Sequence, residues 1–204
     1  VEQQRREQHG DVQARDDGDV LMTIDAFEQV CAAHAYQRRG MFYGEVFLFL
    51  QAVDAHRCNV VVESGVKFGM STRLLSAAFR GQLISIDRDE TVEIEGVSVV
   101  HADALHVVPT YVKQHRALGV GVLIDGPKGE DALRLKDACL RLGARVVGVH
   151  DQPRGIGETL HSHEERYDAE RERLNRFVSA KYLKKYPRGS GLAVWLTTEE
   201  GEGR

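Results

Sequence analysis

The sequence has no excess of positive charge: 27 Lys and Arg stand against 31 Asp and Glu, a net charge of -4. That leaves no basic footprint for a nucleic acid and no polybasic anchor for a membrane surface. Cysteine is scarce as well. Cys31, Cys58 and Cys139 are scattered, odd in number and form no C-x-x-C pair, so neither a disulfide framework nor zinc ligation is indicated. Cys58 and Cys139 lie in apolar stretches, where small buried thiols are expected. No signal-peptide pattern and no run of about 18 apolar residues occurs, and the expected setting is a reducing cytoplasm. A length of 204 residues suits one well-buried domain and is short for two.

Residues 1–19, "VEQQRREQHGDVQARDDGD", are charged and almost free of large apolar side chains. Such a stretch cannot bury enough surface to offset its ordering entropy and is expected to be a disordered tail. Residues 198–204 are expected to form a second tail. Residues 20–197 contain no repeat and no linker and read as one domain. Apolar residues recur at helical spacing from Ile24 to about Arg39, and a second apolar helix fills "YGEVFLFLQAVDAHR". The N-terminal helices thus span 24–57.

From Asn59 strands and helices alternate. The expected strands are "NVVVE", "QLISID", "VSVVHA", "GVGVLID" and "RVVGVHD". They are continuous apolar runs, as strands covered by helices on both faces should be. Helices are expected in "MSTRLLSAAF", in "PTYVKQHRAL" entered through Pro109, and in "EDALRLKDACLRLG" closed by Gly143. A last helix is expected from about Ser162 to Ala180, with Ser162 and Glu165 in capping-box spacing. "KYLKKYPRGSGLAVWLT" reads as a hairpin with Pro187, Gly189 and Gly191 in its turn. The predicted class is α/β: a Rossmann-like three-layer sandwich whose mostly parallel seven-stranded sheet ends in an antiparallel hairpin.

"NVVVESGVKFGMST", Asn59 to Thr72, passes from strand through a glycine loop into a helix, the usual setting of a nucleotide. The dinucleotide fingerprint G-x-G-x-x-G has a middle glycine where the backbone approaches a pyrophosphate. Here Gly65 and Gly69 are four apart and Lys67 holds the middle position. Asp87 lies where a ribose-binding acid should, whichever nucleotide is bound. S-adenosylmethionine (SAM) has a ribose but no pyrophosphate, and its ammonium suits an acid such as Glu63. SAM fits this stretch better than NAD does. The plain structural alternatives are turn glycines at Gly65 and Gly69, loop caps at Asp87 and Asp103, and a helix cap at Ser71.

In order and spacing these stretches resemble the class I SAM-dependent methyltransferases. "VVESGVKFGMST" is similar to that family's first motif, "LISIDRD" to its second and "VVHADA" to its adenine-contacting turn. The resemblance implies SAM as cofactor, with Gly65 and Gly69 in its loop and Glu63 on the ammonium or ribose. It further implies Ser71 on the carboxylate, Asp87 on the ribose hydroxyls and Asp103 near the adenine amine.

Two more strand ends carry acids. "LIDGPKG" places Asp125 at the end of strand four with Lys128 three residues on, and "VHDQPRG" places Asp151 and Gln152 after strand five. Neighbouring strands lie roughly 4.8 Å apart, so two such carboxylates can converge on one divalent cation at oxygen distances of roughly 2.0–2.6 Å. The pattern resembles the metal-dependent O-methyltransferases of the catechol and caffeoyl-coenzyme A type, which carry D-x-x-K and D-N at these places. It implies Asp125, Asp151 and Gln152 as ligands of Mg²⁺ or another divalent cation. Lys128 and Asp125 then stand at the catalytic position, the lysine as base or polarising cation. Gln152 replaces the family's Asn. His150, Asp151, His161 and His163 offer a rival metal site, with imidazole and carboxylate suited to zinc or iron; His150 can equally be a packing residue.

The expected function is methyl transfer from SAM to a hydroxyl of a small-molecule acceptor, with Mg²⁺ assistance as one arm. No nucleic-acid or membrane partner is expected. The other readings are an NAD-dependent oxidoreductase and a non-catalytic SAM-binding or interaction module. The loop 152–163 reads as an acceptor-binding segment, and the apolar "MFYGEVFLFL" as a surface for a homo-oligomer.

Overall fold

A computed structural model describes residues 22–37, 40–151, 172–185 and 191–197. Both tails, Gln152, His161, His163 and the loop 152–163 lie outside the described residues. The chain begins with α1 (Ile24–Ala33), whose first turn is capped by the Thr23 hydroxyl, and α2 (Tyr43–Ala55). α1 stops at Ala33 rather than near Arg39. The Tyr43 hydroxyl donates to the His34 carbonyl at 2.6 Å, and Tyr36 packs on the rings of Phe42 and Tyr43. Tertiary packing here overrides the local helical pattern.

α2 begins with Glu45 reaching back to accept the Phe42 N–H at 2.9 Å, the acid's half of a capping box. Its apolar run is consumed inside the chain. Met41, Phe42, Tyr43, Val46, Phe47, Phe49 and Leu50 are each at most 4 % exposed, which corrects the expectation of a subunit surface on this segment. The run is apolar because a helix lying between a sheet and other helices buries nearly its whole circumference.

The remaining elements are β1 (Val60–Ser64), α3 (Met70–Ala78), β2 (Gln82–Asp87), β3 (Val99–His101), α4 (Ala104–His115), β4 (Val120–Ile124), α5 (Glu130–Arg141), β5 (Val146–His150), α6 (Ala180–Lys185) and β6 (Leu192–Leu196). The strands form one sheet in the order β3-β2-β1-β4-β5-β6, parallel except for β6 against β5. The fold is α/β with a mixed sheet. β1, β4 and β5 are buried at every position, and successive side chains enter opposite cores. Val61 and Leu123 join Phe27, Phe49 and Leu74 on the face of α1, α2 and α3. Val62, Val122 and Val147 join Val108, Val112 and Leu135 on the face of α4 and α5. α5 ends as expected at Gly143 (φ +93), where the N–H groups of Gly143 and Ala144 fold back onto the Leu140 and Cys139 carbonyls.

Three expectations need correction. α4 starts at Ala104, not Pro109, because Asp103 caps it by accepting the Leu105 N–H at 2.9 Å; Pro109 sits inside and removes one intrahelical bond. Among the described residues the sheet has six strands, not seven, and no hairpin: the stretch expected as its first arm holds α6, and β6 pairs with β5 alone. Ala, Lys and Leu favour helix there, and a long-range partner for β6 already exists. The last helix does not continue to Ala180 either. Residues 172–175 are helical, then Phe177 and Val178 turn back on Leu174 and Asn175, burying Leu174 and Val178 in the core.

All three cysteines are free and buried. No helix among the described residues is long and apolar enough to cross a membrane.

Candidate functional site

β1, β2 and β4 end level with one another: Ser64 stands opposite Ile86 on one side and Ile124 on the other. The order of strands reverses between β1 and β4. At such a switch point the connections diverge to opposite faces and leave a crevice at the carboxyl ends. A cleft of about 1040 Å³ opens there, lined among others by Gly65, Lys67, Asp87, Gly126, Lys128 and Asp151.

The glycine loop and the turn after β4 are tied together. The Ser64 carbonyl accepts the N–H groups of Asp125 and Gly126 at 2.8 and 3.0 Å. Gly65 has φ +87, and a Cβ on it would lie 2.4 Å from the Gly126 nitrogen. Both the handedness and the contact demand glycine. Lys67 also adopts a left-handed conformation (φ +49), which delivers its N–H to Asp87 Oδ2 at 2.8 Å. Asp87 Oδ1 accepts the Asp89 N–H at 2.9 Å. The carboxylate is thus held at the cleft by two backbone donors with lone pairs to spare.

Other residues expected at the cofactor lie elsewhere. Glu63 is 0 % exposed and accepts the hydroxyls of Ser71 (2.5 Å) and Ser85 (3.1 Å). Burial pushes its carboxyl up to about 7, against the lowering effect of the Ser71, Thr72 and Ser85 hydroxyls. Glu63 and Ser71 therefore face each other beneath the loop, which they brace. Gly69 (φ +71) starts α3, where a Cβ would strike Ile94. Asp103 is the exposed cap of α4. None of these four is among the residues lining the cleft.

The ends of β4 and β5 converge closely. Lys128 Nζ lies 2.5 Å from Asp125 Oδ1 and 2.7 Å from Asp151 Oδ2. Asp151 has φ +61, uncommon for a residue with a side chain. His150 Nδ1 donates to Asp125 Oδ1 at 2.6 Å, and its Nε2 faces Glu45 Oε2 at 3.3 Å. Burial alone would keep this imidazole neutral, but the hydrogen bonds to Asp125 and Glu45 push it up to about 10. Burial also works against the Asp125 carboxylate, yet His150 and Lys128 hold it below the usual range. The Lys128 ammonium, disfavoured by desolvation, is raised by Asp125 and Asp151.

Asp125, His150 and Asp151 each offer a ligand atom, all within 4.8 Å of one another. The two carboxylates form a donor pair that could hold a divalent ion, and His150 could join them only after giving up a proton. The pairing of Asp125 with Asp151 was legible in the sequence. Glu45 was not, although a lone acid in an apolar helical run must find buried partners. His150 joins these two acids at the cleft, whereas the other histidines of the rival metal site lie outside the described residues.

No protein-family model and no curated protein matches the chain. A solved structure of cofactor-bound Rv0187 from MTB is similar over 89% of this chain and 91% of its own, at 21% identity and a TM-score of 0.46.

Proposed function

We propose that the chain is a SAM-dependent methyltransferase acting on a hydroxyl of a small molecule, with a divalent cation such as Mg²⁺ held by Asp125 and Asp151. The observation that carries this reading is the tie between Gly65 and Gly126. It brings the glycine loop against the turn after β4, so that a nucleotide-type acid, Asp87, and a cluster of acids and cations line one cleft.

SAM, when bound, supplies an electrophilic methyl group. Asp87, already oriented by the Lys67 and Asp89 amides, accepts from ribose hydroxyls. Gly65 lets the loop after β1 lie directly against the turn after β4, where a side chain would strike Gly126. Lys128, which lines the same cleft, would meet the acceptor oxygen. Its ammonium is strengthened by two carboxylates, which supports a role as a polarising cation over one as a base: it favours the oxyanion form of the acceptor. Before a cation enters, Asp125 pairs with Lys128 and is itself held by His150. Gathering both reactants in one cleft contributes through orientation.

Calorimetry with SAM and with S-adenosylhomocysteine tests the reading, paired with mass-spectrometric search for methylated product from a panel of hydroxylated acceptors. Binding of both nucleotides is expected, with a product heavier by one CH₂ because a methyl group replaces the hydroxyl hydrogen, which leaves as a proton. Absence of binding at sub-millimolar concentrations would overturn it.

A further inference from the structure

The cluster at the ends of β4 and β5 contains its own cation at the point where a metal would sit. Lys128 Nζ touches one oxygen of Asp125 and one of Asp151, at 2.5 and 2.7 Å. A divalent ion shared by the same carboxylates takes its oxygens at roughly 2.0–2.6 Å, so it needs the space that the ammonium fills. An ammonium and a divalent ion this close also repel strongly in a partly desolvated site.

The two cations of the cluster differ in their freedom to leave. His150 has a side chain only 6 % exposed and is wedged between Glu45 and Asp125. Lys128 is 48 % exposed and sits in the turn after β4, on the wall of the open cleft. It can swing into water without disturbing a core contact, and its long stem needs no backbone movement to do so.

We propose that Lys128 is a tethered competitor for the divalent-cation site: it closes the Asp125–Asp151 pair when no metal is bound and is expelled when one enters. The inference rests on the metal arm of the proposed function and is independent of SAM and acceptor. It implies that neutralising Lys128 strengthens metal binding, whereas a lysine that merely assists the site would leave affinity unchanged or weaken it on removal.

The test is calorimetric titration of Mn²⁺ into the full chain without cofactor or acceptor. Lys128→Met should bind at least about tenfold more tightly than the wild type, the scale of one lost charge-assisted hydrogen bond. Lys128→Arg should remain as weak as the wild type, and Asp151→Asn should bind least. Equal or weaker binding by Lys128→Met overturns the inference, as does the absence of binding by both proteins. A second measurement avoids substitution. In the wild type, Mg²⁺ should move the Lys128 side-chain NMR signal toward that of a mobile lysine; Mg²⁺ binding with the signal unmoved also overturns it. Failure of the metal arm itself is read separately, as methyl transfer that survives chelation.

Discussion

His150 Nδ1 lies 2.6 Å from Asp125 Oδ1, and on its other side the imidazole faces the buried Glu45 carboxyl of α2. The bond joins the end of β5 to the end of β4, and the second contact joins both to the N-terminal helices. His150→Ala should therefore lower stability by about 3–5 kcal/mol, the range for breaking a buried ion pair by removing one partner. Urea denaturation measures this. A loss well under 1 kcal/mol would show that the cluster is not coupled to the core.

Gly65 is a position of backbone necessity. Gly65→Ala imposes a left-handed conformation, worth about 1–2 kcal/mol, and a clash with the Gly126 nitrogen. The variant should lose at least that much stability and should bind SAM more weakly, because both walls of the cleft move. Wild-type stability and affinity in this variant would mean that the two turns are not tied.

Glu63 gives the fold a dependence on pH. Its carboxyl is raised to about 7 from an ordinary 4.5, so the stabilising contribution of the protonated form is fully present below about 4.5. It is lost as pH rises through about 7. Glu63→Gln carries no such proton. Between pH 5 and 8 the wild type should lose stability relative to the Gln variant, by up to ~3 kcal/mol at about 1.4 kcal/mol per pKa unit. Denaturation curves at the two pH values decide; a constant difference between the proteins rules the effect out.

Asp151 separates catalysis from cofactor binding. Asp151→Asn should reduce methyl transfer by about 10–100-fold, the scale on which metal sites respond to perturbed ligation, and leave SAM affinity unchanged, since Asp87 is held by the Lys67 and Asp89 amides and Asp151 by Lys128. Removal of divalent ions with a chelator should act in the same way. Parallel losses in turnover and SAM affinity would place Asp151 in the cofactor site instead.

Much of the architecture is a local property and could be read from residue order. The continuous valine runs announce strands covered on both sides, and Gly143 announces the end of α5. Local signals misled where long-range packing decided. The pattern from Ile24 to Arg39 is helical in spacing, yet the Tyr36–Tyr43 contacts end the helix early. Asp103 has a local task that the sequence does not display, capping α4 through Oδ1.

The sequence alone determined the alternation of β1 to β5 with their helices, the glycine loop after β1 and the acids at the ends of β2, β4 and β5, because hydrophobic period and glycine spacing are carried by neighbouring residues. Only the tertiary structure decided which of those acids meet. Strand order brings Asp125 beside Asp151, and left-handed turns at Lys67 and Asp151 point an amide and a carboxylate at their partners. Burial drives Glu63 toward two serines and Glu45 toward His150. Such convergence depends on register, on loop dihedrals and on the penalty of leaving a buried charge unpaired, and none of these is local in the chain.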